Sequence, residues 1–306
     1  MIPAAMKPAA PSIALTAEEV AAAFRPMVSE QFSVGGPRWA ALEQARHAKL
    51  RRGGLRDAPD DAIPVVAWED PALTLARSEA WLAEKFRVEP GRVAFAWGDQ
   101  ALLAKGIASS RVQLLALMRV VEQYQPATVA EVGLGSGINL FALAGRFPHI
   151  QFSGVEVNAD AVRRARALQQ VDAMPPAIRE FSPEPLRDPG AHRRVVLQAG
   201  DARALPWADR SVDMVFTKLA LERMQAFRDR ALAELRRVAR DYVVMIEAFR
   251  EWNVDGIRRD YIASKRYFDC AVSELPALGL EPVAMFDDFP FKMTHRPALV
   301  VARPIR

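Results

Sequence analysis

The sequence predicts an α/β doubly wound fold preceded by a helical N-terminal extension, on three observations. After residue 110, short apolar runs alternate with helical stretches at the spacing of βα units. A glycine-rich turn, Glu131-Val-Gly133-Leu-Gly135-Ser-Gly137, directly follows the first of those runs and opens a helix. The preceding hundred residues show helical signals and no such alternation.

Taken in order, residues 1–14 read as a Pro/Ala-rich tail. Thr16-Ala-Glu-Glu19 is a capping box that starts a helix. A second helix is expected over 38–51, stopped by Gly53-Gly54. An acidic connector covers 57–71, and a third helix covers 72–86, ahead of the turn signal Pro90-Gly91. Val112–Gln123 carries Leu114, Leu115, Leu117, Met118 and Val121 at helical spacing. Ser109 or Ser110 is expected to cap that helix with Arg111 on the surface, the alternative being an Arg111 that pairs with a ligand carboxylate. Strands are expected at 128–132, 152–157, 195–198, 212–216 and 242–246. The helices between them cover 139–146, 159–169 (capped by Asn158) and 227–238. Residues 172–193 carry five prolines and are too long for an ordinary αβ loop, which predicts a lid or an ornament. A helix over 254–268 and strands at 282–286 and 298–302 close the chain. Trp97-Gly-Asp99-Gln and residues 106–111 are placed where a lid would meet a ligand.

Composition sets the function classes. Half of the 306 residues are apolar (51%), which is enough for an ordinary core. No run approaches the ~20 apolar residues that cross a bilayer, and the first fifteen residues lack a signal peptide's apolar centre. Cys270 is the only cysteine, so no intrachain disulfide or thiolate cluster is expected, and the cytoplasm is the expected location. The net charge is +4, but only 7 of the 41 basic residues are lysines and the arginines fall in scattered pairs. That pattern reads as solvated helix faces, so nucleic acid is not an expected partner. The histidines lack ligand spacing, and no metal is expected.

The chemistry gathers at strand ends. A dinucleotide fingerprint begun at Gly133 needs glycine at 138, where Ile138 stands. Glu156, ending the second strand, can accept both hydroxyls of a ribose. Asp201, after the third, can accept from an adenine amino group, with the Ala202 N–H beside a ring nitrogen.

On the segments EVGLGSG, GVEVN, GDARALPWADRSVDMVF and LALERM, residues 128 to about 250 resemble the class I S-adenosylmethionine-dependent methyltransferases. The resemblance implies a Rossmann-like seven-stranded mixed sheet, with the tail strands as its antiparallel pair, and S-adenosylmethionine as cofactor. It implies that Glu131, Gly133, Gly135 and Gly137 hold the methionine part. Glu156, with Val157 beside it, would hold the ribose, and Asp201 with Ala202 the adenine. Thr217 and Leu219 would line the sulfonium. The family's Pro-Gly-Gly before strand five is absent, and Glu222-Arg223 stands where many relatives have histidine.

Candidate proton acceptors are Glu222, Glu247 and His295. The plainer readings are a surface ion pair for Glu222, a structural acceptor of backbone N–H groups for Glu247, and an exposed loop position for His295. Trp252, Tyr261, Tyr267, Phe268, Phe286, Phe289 and Phe291 include candidate pocket walls, most of them expected in the core. The division expected is residues 1–109 as a tail, lid, acceptor-binding or oligomerisation region and 110–306 as the catalytic domain, with its insertion at 172–193. The function expected is methyl transfer to O, N or C of a small-molecule acceptor, with a homodimer as the association that the extension allows. The alternatives are a nucleic-acid or protein methyltransferase, a nicotinamide-dependent oxidoreductase, and a non-catalytic S-adenosylmethionine-binding module.

Overall fold

A computed structural model describes residues 13–52, 75–76, 78–80 and 93–306. The tail of residues 1–12, the glycine stop at 53–54, the connector at 57–71 and the Pro90-Gly91 turn lie outside the described residues. So does most of the expected 72–86 helix, of which 75–76 and 78–80 are helical.

The central layer is a seven-stranded sheet. Its strands are β4 (Thr128–Val132), β5 (Gln151–Glu156), β6 (Val196–Ala199), β7 (Val212–Lys218), β8 (Ala239–Glu247), β9 (Leu280–Phe286) and β11 (Ala298–Pro304). Their spatial order is β6-β5-β4-β7-β8-β11-β9. The first five are parallel, and β11 inserts antiparallel between β8 and β9. The order reverses at β4, so the β4 and β7 ends open the crevice where doubly wound sheets take ligands. Asp213 sets the register there: its carboxylate accepts from the Ala127 and Thr128 N–H groups at 2.9 Å, and its own N–H donates to Thr128 Oγ1 at 2.8 Å.

Apolar side chains fill both faces of this sheet. One layer holds α3 (Ala108–Tyr124), α4 (Ile138–Arg146) and α5 (Ala159–Leu168), around Leu114, Leu117, Phe141 and Leu168. The other packs α7 (Arg228–Val238) through Leu232 and Leu235 against Val215, Val243 and Met245. Asn158 caps α5 as expected, accepting from the Asp160 and Ala161 N–H groups.

The extension contains the expected helices, α1 (Ala17–Phe24), with its Thr16/Glu19 capping box, and α2 (Pro37–Arg52). It also contains a sheet absent from the sequence reading. Strands β1 (Val28–Ser33), β2 (Val93–Trp97) and β3 (Gln100–Ala104) form an antiparallel sheet that β10 (Phe291–Lys292), from between β9 and β11, completes. The segment around Trp97 is thus the turn of a hairpin, with Gly98 at φ +60°. A small core of Trp39, Ala96, Ala101, Ile257 and Met293 joins this sheet to α8 (Gly256–Lys265).

Two expectations are corrected here. Neither Ser109 nor Ser110 caps α3; Ile107 occupies the N-cap position without a side-chain bond. Arg111 is neither on the surface nor turned to a ligand. Its guanidinium donates to the carbonyls of Ala23, Phe181 and Ser182 at 2.7–3.2 Å, so it ties α1 to the insertion. Arg119 does the same with carboxylates, bridging Glu19, Glu122 and Glu184. The 172–193 insertion folds as α6 (Pro176–Phe181) and a 3-10 turn, and its Arg187 and Asp188 N–H groups donate to Gly145 O. That contact sits at the far end of α4 from the glycine turn, about 12 Å along the helix.

Candidate active site

The glycine turn leaves β4 and enters α4 with Gly133, Gly135 and Gly137 all in the left-handed region. Two of them serve opposite purposes. A Cβ on Gly133 would lie 2.5 Å from the Ala220 Cβ, so glycine there lets two strand-end loops pack together. A Cβ on Gly135 would meet nothing within 4 Å, so glycine there keeps the backbone open toward the crevice.

Glu131 is almost fully buried at the end of β4. Its Oε1 accepts from Asn139 Nδ2 at 2.7 Å, while Oε2 is buried with no hydrogen-bond partner among the described residues. Burial pushes its carboxyl up to about 8, with Glu156 adding to the shift and Asn139 and Lys218 opposing it. Glu156 ends β5; its Oε2 accepts from the Gly135 N–H and its Oε1 from the Asn158 N–H, both at 2.9 Å. Val157 beside it is 52% exposed, an apolar face left open at the crevice.

Asp201 follows β6 and accepts from its neighbour Arg203 through both the guanidinium and the backbone N–H at 2.6–3.0 Å. That bonding holds the Asp201 carboxyl below its ordinary range. Ala202 is buried. The loop that follows is clamped from α7: Glu234 accepts from the Leu205 N–H at 2.8 Å, and Arg237 donates to the carbonyls of Leu205 and Trp207.

S-adenosylmethionine fits this cradle. The orphaned Glu131 oxygen can accept from its ammonium, the open backbone at Gly135 admits its chain, and Val157 offers a surface to a flat base.

Across the crevice, Glu247 ends β8 fully buried. Its Oε1 accepts from the Ala220 and Leu221 N–H groups at 3.1 and 3.2 Å, which fixes the 3-10 turn Leu221–Arg223. Burial, with Glu222 assisting, pushes its carboxyl up to about 8. Thr217 is buried beside it, and Leu219 takes a left-handed φ of +52° with its N–H on Ile246 O. Glu222 follows on that turn. It is half-buried, and desolvation raises its carboxyl against the opposing charges of Arg223, Lys292 and Lys218. His295 lies between β9 and β11 and stacks on Tyr261, with ring centroids 6.1 Å apart and planes at 19°. Burial pushes its imidazole down to about 4, with Lys292 adding to the shift, so it is neutral near pH 7.

The structure therefore brings Glu131, the three glycines and Glu156 to one rim, and Glu222, Glu247 and His295 to the facing wall. Of the aromatics, Trp252, Phe268 and Phe289 are in the core, whereas Tyr261 and Tyr267 are half-buried and pack edge to face. Several contributors escaped the sequence reading. The charges of Arg223, Lys292 and Lys218 oppose the rise of the Glu222 carboxyl. Asn253 fastens the 287–297 segment by exchanging hydrogen bonds with the Arg296 backbone at 2.8 and 2.9 Å. Glu234 and Arg237 carry the only advance signal, an acid and an arginine three apart on one helix face. Among the described residues, no cluster of potential metal ligands occurs and no helix is long and apolar enough to cross a membrane.

Part of the chain is similar to known proteins. Residues 130–246 match the family model described as a methyltransferase domain. A curated relative, malonyl-acyl-carrier-protein O-methyltransferase of Laribacter hongkongensis, is 28% identical over 165 residues, covering 53% of this chain. The chain spans about half the length of that relative (50%). Among solved structures, the YcgJ protein of Bacillus subtilis aligns at 15% identity and a TM-score of 0.45, over 63% of this chain and 98% of its own. The PH0226 protein of Pyrococcus horikoshii OT3 aligns at 16% and 0.45, over 64% and 90%.

Proposed function

The chain carries a class I S-adenosylmethionine-dependent methyltransferase domain, and from that premise we propose that it transfers a methyl group to an oxygen of a small-molecule acceptor. The observation that carries the reading is the donor rim: Glu131 with a buried free oxygen, Gly135 with open space over its backbone, and Glu156 bonded to the Gly135 N–H. The O-methyltransferase name of the curated relative supports oxygen as the atom methylated. We place the reaction in the cytoplasm, where the single buried thiol of Cys270 needs no disulfide partner.

When bound, S-adenosylmethionine supplies a methyl group on a positively charged sulfur that is already a strong electrophile. The chain's residues then have to align the acceptor and exclude water. Glu131 and the glycine turn hold the methionine end, Glu156 the ribose, and Asp201 with Ala202 the base. Glu222 is the group we assign to take the acceptor's hydroxyl proton, since desolvation makes it a stronger base than an exposed carboxylate. Glu247 acts as a positioning residue, because its carboxylate secures the turn that carries Glu222. His295 closes the wall as a neutral ring.

Calorimetry with S-adenosylhomocysteine tests the donor site. Incubation with isotope-labelled donor and fractionated cell extract tests the acceptor class. Label is expected in small molecules, each heavier by one CH2. Label confined to RNA or protein would overturn the small-molecule assignment, and donor binding with no labelled product would favour a binding module.

A further inference from the structure

We propose that a cavity between α8 and the loops that follow β7 and β8 is a second binding site, for a carboxylate on an apolar chain, with Arg259 holding the charge. The inference goes beyond methyl transfer and does not depend on it.

The cavity has a volume of about 490 Å³, within the ~300–1,000 Å³ of small-molecule sites. Ala248 reaches it from the end of β8, Val254 from the segment before α8, Ile262 and Ala263 from α8 itself, and Tyr267 and Phe268 from just beyond. Those side chains make an apolar wall. Tyr267 and Phe268 were candidate pocket walls on the sequence, and this is the pocket they line. Val254 is 56% exposed, so the wall continues to the surface as an uncovered apolar side chain. None of the residues assigned above to the donor or to the acceptor's proton lines this cavity.

The other side is polar and braced. Gln225, Arg250 and Asp269 line both this cavity and a smaller one of about 330 Å³ at the start of α7. Gln225 Oε1 accepts from the Asp269 N–H at 2.8 Å, and the Arg250 guanidinium donates to Asp269 and Glu274. These bonds hold the partition in shape without a ligand.

The bonds that are made, and those that are not, give the ligand its charge. Three arginines and one aspartate line the cavity. The aspartate, Asp269, is paired with Arg250, which is shared with Glu274, and Arg266 is also engaged. Arg259 has a weaker tie. Its Nε and Nη2 donate to one oxygen of its neighbour Asp260 at 3.2 and 3.1 Å, and its side chain is 65% exposed. An ion pair so exposed contributes little. Arg259 Nη1 and the Gln225 amide nitrogen make no hydrogen bond among the described residues. The lining thus combines unused donors with apolar surface, and a carboxylate on a hydrocarbon chain uses both.

The test is calorimetry on the full chain with hexanoate, octanoate and octanol, with and without saturating S-adenosylhomocysteine. Octanoate is expected to bind about tenfold more tightly than hexanoate, through two more buried CH2 groups, and about tenfold more tightly than octanol. S-adenosylhomocysteine should leave octanoate affinity unchanged. Arg259→Gln is expected to bring octanoate down to the affinity of octanol, and Ala263→Trp, which sets an indole against the cavity, to weaken octanoate about tenfold. Both positions are exposed on α8, so melting temperatures should stay close to the parent's. The octanoate–octanol comparison on the unsubstituted chain needs no variant. The assignment is overturned if octanoate does not bind, if octanol binds as tightly, if either variant binds octanoate as the parent does, or if S-adenosylhomocysteine displaces it.

Discussion

The two walls of the crevice are built on opposite plans. On the wall we assign to the donor, the carboxylate of Glu156 already receives two backbone N–H groups, and Asp201 is bonded to Arg203. On the opposite wall, which we assign to the acceptor, the Glu222 and Lys292 side chains make no hydrogen bond or ion pair among the described residues. A wall of prebonded groups is shaped before its ligand arrives, which suits a ligand whose structure never varies. A wall of unbonded groups is completed by its ligand, which suits discrimination among acceptors.

The largest test of that contrast is Gly133→Ala. The new Cβ would strike Ala220, which begins the turn carrying Glu222, and would require a left-handed backbone of an alanine. Affinity for S-adenosylhomocysteine is expected to fall about 100-fold, roughly 2.7 kcal/mol, with a lowered melting temperature. Gly135→Ala is the sharpened form of the same test: its Cβ enters open space, so thermal stability should suffer less than at Gly133 while affinity still falls about tenfold. Equal melting losses in the two variants would erase the distinction between a packing glycine and a ligand-facing one.

Buried carboxyls give the next effect. Glu247 holds its proton up to about 8 when folded and releases it near 4.5 when unfolded. Between those values the folded chain binds the extra proton, so this residue's contribution to stability falls as pH rises through that window. Glu247→Gln keeps the oxygen that accepts from Ala220 and Leu221 and has no proton to lose. Relative to the parent it should gain on the order of 2 kcal/mol between pH 5 and pH 8. Parallel melting curves against pH for parent and variant would show that the carboxyl is not desolvated as described.

Smaller effects belong to the support of the donor wall. Arg237→Ala removes the clamp on residues 205–209 and should weaken S-adenosylhomocysteine about tenfold. The adenosine fragment should weaken in proportion, and that second readout separates loop positioning from general destabilisation. Arg203→Ala leaves Asp201 in place and exposed, and should change affinity less than about threefold. A large loss from Arg203→Ala would mean that the donor wall depends on its arginine and not on the carboxylate.

The same contrast explains what could be read from the sequence. The wall we assign to the donor was legible as a row of strand ends because each part is local: a strand, then its glycines or acid, within a few residues. Glu131, Gly133, Gly135, Glu156 and Asp201 follow their strands in that way. The opposite wall is made of singletons. Nothing near Lys292 in sequence announces Glu222, and a two-residue strand such as Phe291–Lys292 has no periodicity to detect. The β2–β3 hairpin did leave a trace, Val93-Ala-Phe-Ala-Trp97 and Gln100-Ala-Leu-Leu-Ala104 around Gly98-Asp99, a recognised two-residue turn pair. The helical signals on either side of it masked that trace. Arg111 was misread because its partners are three carbonyls from two distant segments, which side-chain patterns cannot reveal.

The pairing of Phe291 with Ala96 has a consequence for how the chain comes into being. Contacts between positions so far apart form late, since a long loop must close before they yield anything. During synthesis the glycine turn and its parallel strands can assemble while residues 287–297 are still being made. The wall that carries Lys292 and His295 cannot, because those residues are made after all five parallel strands. A chain cut short before β10 would keep the glycine turn, Glu156 and Asp201 and lose Lys292 and His295 from the facing wall.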